Sequence, residues 1–218
     1  MERVQIFVDA GNFYHMVLKK LGCHEVDFDF ERLIQFLCGT ERKITPEGKR
    51  FYVGTVRERT DGHESKNAMS NQTALFTELW KLGWVTKTSK LRSRTERIKI
   101  DDRVQNHQHF IKLGIHEVVY ERSREKGIDV KLAIDLLVGG IDSKYDTAIV
   151  VSSDTDLVPA VQWIRNRLRK KVEYVGFSLA ATETFEATRP VKTMIYNTDV
   201  QRVLSESDVR PFIKPKLV

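Results

Sequence analysis

The segment that most constrains the fold is TAIVVS (residues 147–152), in which Ala148, Ile149, Val150 and Val151 are apolar with no polar alternation. A strand with one wet face alternates. A continuous apolar run belongs to a strand covered on both faces, as in a parallel sheet flanked by helices. The surrounding pattern agrees. VQIFV (4–8), RFYVGTV (50–56), WVTKT (84–88) and VEYVGF (172–177) read as further strands, and KTMIY (192–196) as another.

Helical patterns lie between them. FYHMVLKKLG (13–22) stops at Gly22, and Asp29 opens FERLIQFLCG (30–39), where Leu33, Ile34, Phe36 and Leu37 form the apolar face. NQTALFTELWKLG (71–83) places Leu75, Phe76, Leu79, Trp80 and Leu82 at helical spacing. From Ile128, the residues Val130, Ala133, Ile134, Leu137, Val138 and Ile141 repeat as a core-facing helix does. DLVPAVQWIRNRL (156–168) is the next helix, with Pro159 tolerated in its first turn. The tail from Asp199 adds a short helix. Strand-helix alternation of this kind predicts an α/β, three-layer α/β/α architecture around a mainly parallel sheet.

At 218 residues the chain fits one domain, 1–218, large enough to bury a substantial core. The stretch at about 89–126 is its excursion: RIKID (97–101) and HEVVYERSR (116–124) alternate as a two-stranded arm does. No apolar run approaches the roughly 20 residues that span a membrane. With no room for a leader before the first strand, Cys23 and Cys38 read as reduced thiols of a cytoplasmic protein and not as a zinc site.

The net charge of +6 favours a polyanionic partner, and its distribution says more than its sum. Lys87, Lys90, Arg92, Arg94, Arg97, Lys99 and Arg103 face only Glu96, Asp101 and Asp102 in their stretch, and RNRLRKK covers residues 165–171. Such runs are solvated faces in the plainer reading, but clustering fits contacts to a phosphate backbone. Phe51, Tyr52, Trp80 and Trp84 read as core.

Open parallel sheets bind ligands beyond the carboxyl ends of their strands. Asp9 follows the first strand directly, and Asp154 and Asp156 follow TAIVVS. Asp129 sits in the first turn of its helix, where the helix dipole favours a carboxylate. Each acid taken alone is equally a helix cap or dipole partner. Taken together they form an all-oxygen set suited to Mg²⁺ or Mn²⁺, because two unit charges 4 Å apart repel by about 4 kcal/mol at an effective dielectric of 20. Asp135 lies about 120° around the helix from Asp129 and reads as exposed. Asn12, Ser152, Ser153 and Lys126 are supporting or phosphate-contacting candidates, though each has a bland role in turns or on the surface. There is no GxGxxG, no GxxxxGK[ST], no DxD after the first strand and no GxSxG.

IFVDAGNFY (6–14), KGIDVKLAIDLL (126–137) and YDTAIVVSSDTDLVPAVQWIR (145–165) followed by KVEYVGF (171–177), in that order, resemble NYN domains of the LabA-like group in the PIN-like nuclease superfamily. The resemblance implies a PIN-like fold and a Mg²⁺- or Mn²⁺-dependent nuclease, with RNA favoured over DNA. By position, Asp9, Asp129, Asp154 and Asp156 would be its acidic cluster, and Asn12, Ser152 and Ser153 would support it. Asp135 also matches a family acid. Thr155 stands where the family often has Gly or Ser. The expected partner is nucleic acid, with no membrane involved and a homodimer admitted. The competing expectations are an RNA- or protein-binding module on the same fold and, with less support, a small-substrate hydrolase.

Overall fold

Apolar strands that can hydrogen-bond only to one another line up here in a single six-stranded sheet, and every neighbouring pair in it is parallel. The computed structural model describes residues 1–55, 63–90, 92–124 and 127–215. In chain order, β1 (Glu2–Asp9) leads into α1 (Ala10–Phe13), which widens into a π-helical turn through Leu18. Then come α2 (Phe30–Cys38), β2 (Arg42–Thr55), α3 (His63–Lys81) and β3 (Val85–Lys90). The excursion holds β4 (Arg92–Lys99), α4 (His107–Lys112) and β5 (Glu117–Arg124). The second half runs α5 (Ile128–Ile141), β6 (Thr147–Val151), α6 (Val158–Trp163), β7 (Lys171–Ser178), α7 (Lys192–Asn197), β8 (Val200–Ser205) and α8 (Glu206–Val209).

The sheet order is β3-β2-β1-β6-β7-β8. Chain direction across the sheet reverses between β1 and β6, which opens a crevice beyond their carboxyl ends. Both faces are covered, giving three layers. Val4, Ile6 and Val8 of β1 pack with Phe13, Leu33 and Leu37 on one side. Phe7 and Tyr52 pack with Leu132, Leu136, Tyr145 and Ile164 on the other. β6 is buried at all five positions, as its unbroken apolar run requires.

The excursion forms the expected arm, with β4 and β5 antiparallel from Arg92↔Arg124 to Lys99↔Glu117. Other expectations are corrected. Residues 192–196 form helix α7, and the outer strand is Val200–Ser205, followed by the short helix anticipated in the tail. Met194 alone is buried in α7, so one inward residue per turn, not alternation, satisfies that segment. In α5 the buried face is Ile128, Leu132, Leu136, Gly139 and Gly140, whereas Val130, Ile134, Val138 and Ile141 are 43–60% exposed. The helix is apolar nearly all round, so periodicity identified the helix and chose the wrong side. Phe36 and Trp80 are likewise exposed, Trp80 at 58%, its indole N–H donating to Thr86 Oγ1. The predicted strand end at position 56 lies outside the described residues.

One glycine ties the fold to the site. In β7 the Tyr174 side chain folds over Gly176, so a Cβ at 176 would stand 2.7 Å from the Tyr174 hydroxyl and 2.8 Å from its ring. That hydroxyl accepts the Val191 N–H at 3.1 Å and bonds Ser153 Oγ at 3.0 Å. Gly176→Ala must therefore displace a buried tyrosine. The expected cost is about 1–3 kcal/mol in urea denaturation, and an unchanged midpoint would show that the ring moves freely.

Candidate active site

Asp9 is the last residue of β1, and its carboxylate serves the next helix and the neighbouring strand at once. Oδ1 accepts the Asn12 N–H at 3.0 Å, which caps α1. Oδ2 accepts the Ser152 hydroxyl at 2.8 Å. Ser152 is delivered by the pairing of β1 with β6, which places Val8 beside Val151, one residue short of each polar group. Ser152 Oγ in turn accepts the Asp154 N–H at 3.1 Å, and Asp154 Oδ1 accepts the Asp156 N–H at 2.9 Å. Asn12 reaches across to accept the Ser153 N–H at 2.9 Å. Capping and clustering are thus the same structure: the turns after β1 and β6 are stitched together by side chains.

Burial makes this arrangement electrostatically tense. Asp9 is only 4% exposed. Its carboxyl is pushed up to about 6, chiefly by burial, against the pull of the Asn12 and Ser152 hydrogen bonds and with further push from Asp129 and Asp154. Asp129, in the first turn of α5, is also raised, by burial first and then by Asp154 and Asp156. α5 packs against the Thr155–Leu157 turn, which brings Asp129 to the same rim. All four acids therefore share one edge of the sheet, with Asp156 at its exposed outer side. Among the described residues, however, no three Asp, Glu, His or Cys side chains stand close enough to form a ready-made ion shell. The donors fit a hard divalent cation in chemistry, and charge repulsion would be relieved by one, but their side chains are not gathered around a point.

Asp135 is not exposed as the helical wheel implied. It faces the sheet, accepting the Tyr52 hydroxyl at 2.9 Å and pairing with Arg50 at 3.1 Å, with Lys87 at 4.0 Å. Arg50 is buried, its guanidinium 5.9 Å from the Phe7 ring, and among the described residues its Nε has no hydrogen-bond partner. Tyr52 is the register partner of Asp9 and Lys87 that of Tyr52, so Lys87 sits on the rim beside the acids. Arg50 escaped notice because a lone cation opening the run RFYV passes for a strand boundary.

The basic candidates separate by position. β3 ends at this rim and α5 begins there, so the β4–β5 arm leaves and returns beside the carboxylates. Arg94, Arg97 and Lys99 lie along it, Arg97 pairing with Glu117 at 3.5 Å. The structure describes the backbone of Lys90 and Arg92. Register adds two arginines that the sequence reading passed over: Arg124 opposite Arg92 and Arg122 opposite Arg94. Lys126 lies outside the described residues. The run 165–171 sits at the opposite, amino end of the sheet, where Arg165 pairs with Asp199, Lys170 with Asp146 and Lys171 with Glu2. Three of its five cations are thus paired, at the edge of the sheet away from the acids.

The NYN domain family model matches residues 3–195, a span that contains Asp9, Asp129, Asp135, Asp154 and Asp156. The crystal structure of a protein of unknown function from Vibrio parahaemolyticus aligns with a TM-score of 0.52 at 17% identity, over 95% of this chain and 96% of that one. At that identity it is similar in fold alone. No curated protein matches the sequence significantly.

The raised Asp9 carboxyl carries a stability signature. An unfolded aspartate titrates near 3.9, so the folded state holds the proton more tightly and stability falls as pH rises from about 4 to about 6. Asp9→Asn keeps an acceptor for the Asn12 N–H and removes the buried charge. In EDTA it should be the more stable protein at pH 7 by up to about 3 kcal/mol, with the gain fading towards pH 4. Urea titrations across that range check this, and a pH-independent loss of stability would contradict it.

Proposed function

Because the chain belongs to the NYN domain family, whose PIN-like fold its sheet reproduces, we propose that it is a metal-dependent nuclease of the LabA-like group that hydrolyses phosphodiester bonds in RNA. The observation that carries this reading is the buried Asp9 at the crossing point of the sheet, its charge felt together with those of Asp129 and Asp154. Its two hydrogen bonds satisfy the carboxylate's oxygens, but no cation pairs with it among the described residues, and burial of a charge without a counter-ion is costly. Asp9, Asp129, Asp154 and Asp156 would hold Mg²⁺ or Mn²⁺, which when bound supplies charge to screen the phosphate and acidifies water.

The chain's own groups do the rest. Ser152 and Asn12 fix the turn that presents Asp9 and Asp154. Lys87, half-exposed at the rim, offers an ammonium to a phosphate approaching the acids. The arm adds Arg94, Arg97 and Lys99 along a path that begins and ends at the same edge. Contacts of this kind position a nucleic-acid backbone and do not read sequence. Among the described residues no helix is long and apolar enough to cross a membrane.

A second reading, a nucleic-acid-binding module with little turnover, has one observation in its favour: the acids do not stand as a preassembled ion shell. The two readings part on one experiment. With labelled single-stranded RNA, wild-type protein should cleave in Mn²⁺ and not in EDTA, and Asp154→Asn should fall to the EDTA background while still binding. Manganese-insensitive or unchanged cleavage in the variant would overturn the nuclease assignment, and binding without turnover in the wild type would establish the module. Separately, Lys87→Ala should lower the salt dependence of RNA binding by roughly 0.7 in log–log slope, the loss of one phosphate contact on a single strand. An unchanged slope would remove Lys87 from the path of the backbone.

A further inference from the structure

Beside the acidic rim, on the other side of the α1 turn, lies a cavity of about 350 Å³. Small-ligand pockets begin at about this size. Its floor is apolar, from the buried Val53 and Leu75, and Tyr14, His24, Glu25 and Asn71 are among the polar and aromatic residues that line it. The wall is held in place: the Gln72 amide donates to the Gly54 carbonyl at 2.9 Å, fixing α3 against the end of β2. Tyr14 is half-buried, with the His15 ring edge-on to it at 5.4 Å.

Glu25 is the unexplained group. Half-buried at this cavity, it has neither a hydrogen-bonding nor an ion-pairing side-chain partner among the described residues, and burial alone pushes its carboxyl up to about 7. Its oxygens are not sealed from solvent, so the carboxyl is open to a ligand that enters the cavity and offers donors. Among the described residues the nearby His15 and His24 do not complete a metal group with it.

The location narrows the ligand. Gly11, two residues beyond Asp9, lines the cavity, as does Gly54, two residues beyond Tyr52, the register partner of Asp9. By strand spacing Gly54 is about 8 Å from Asp9, so a nucleic-acid strand whose phosphate lies at the acids can bring one base here. Single-stranded RNA is read in this way, by splayed bases stacked on aromatic rings and bonded along their pairing edges. In its ionised form the Glu25 carboxylate only accepts, and a ligand that offers it two donors favours that form. Guanine is the base whose pairing edge presents two adjacent donors, N1–H and N2–H; adenine and cytosine each set one donor beside an acceptor, and uracil sets its donor between two acceptors.

Resting on the nuclease reading above, we propose that the cavity is a guanine-recognition slot, in which the Glu25 carboxylate accepts both donors, the Asn71 amide donates to O6, and Tyr14 and His24 flank the ring.

The test is fluorescence anisotropy in EDTA with labelled oligouridylates carrying one central guanine, adenine or cytosine, using the full chain. A bidentate contact predicts that the guanine strand binds about tenfold tighter than the others. Glu25→Gln, which exchanges one acceptor for a donor, should reduce it to the level of the uridine-only strand. Ala68→Phe, placed on the exposed face of α3 at the cavity mouth, should do the same by filling the slot. Equal binding of all strands, a preference for adenine or cytosine, or a guanine preference that survives both substitutions would overturn the proposal. Cleavage of the same strands in Mn²⁺ separates the two ideas. Guanine preference without cleavage sinks the nuclease assignment alone, and cleavage without guanine preference sinks the slot alone.

Discussion

The rest of the site depends on one hydrogen-bonded junction, in which the Asp9 carboxylate binds the Asn12 N–H on its own turn and the Ser152 hydroxyl on the turn of the adjacent strand. Parallel pairing of β1 with β6 brings the two turns side by side, and only short polar side chains can then satisfy their backbone groups. Ser152, Ser153 and Asn12 meet that need, and the carboxylates are oriented as a by-product. Tyr174 extends the same junction to β7 and to the approach of α7. The geometry that closes the fold is therefore the geometry that presents the acids.

Charge is distributed to suit. The acids that repel one another stand at the carboxyl edge, and the cations nearest to them are of two kinds. Arg50 is committed, buried against Asp135 and the Phe7 ring. Lys87 is half-exposed. The committed cation keeps Asp135 and Tyr52 fixed under the rim, while the half-exposed one remains able to meet an incoming anion. At the amino edge three cations of the run 165–171 are paired, Arg165 with Asp199, Lys170 with Asp146 and Lys171 with Glu2. Net charge alone would have weighted both ends equally.

Much of this was legible in the sequence, for identifiable reasons. The run at 147–151 announced a doubly covered strand because no alternation was present to suggest otherwise. Asp9 and Asp154 announced a rim because each follows such a strand. What the sequence concealed was direction. In α5 nearly every position is apolar, so periodicity could not tell Leu132 and Leu136, which are buried, from Ile134 and Val138, which are not. The same ambiguity placed Asp135 outside when its carboxylate is claimed by Tyr52 and Arg50 from another strand. Residues 192–196 were misread because five residues are too few to separate a strand from a single helical turn and a half. The cavity around Glu25 was invisible for a different reason: its walls come from α1, β2, α3 and the turn before α2, and no local pattern joins them.

The arm has a further consequence. A two-stranded ribbon by itself is marginally stable in water, and this one sets arginine across from arginine at 92/124 and 94/122. A polyanion laid along the ribbon would bridge its two strands, so grip and local order would rise together, and both would slacken as dissolved salt took the polyanion's place.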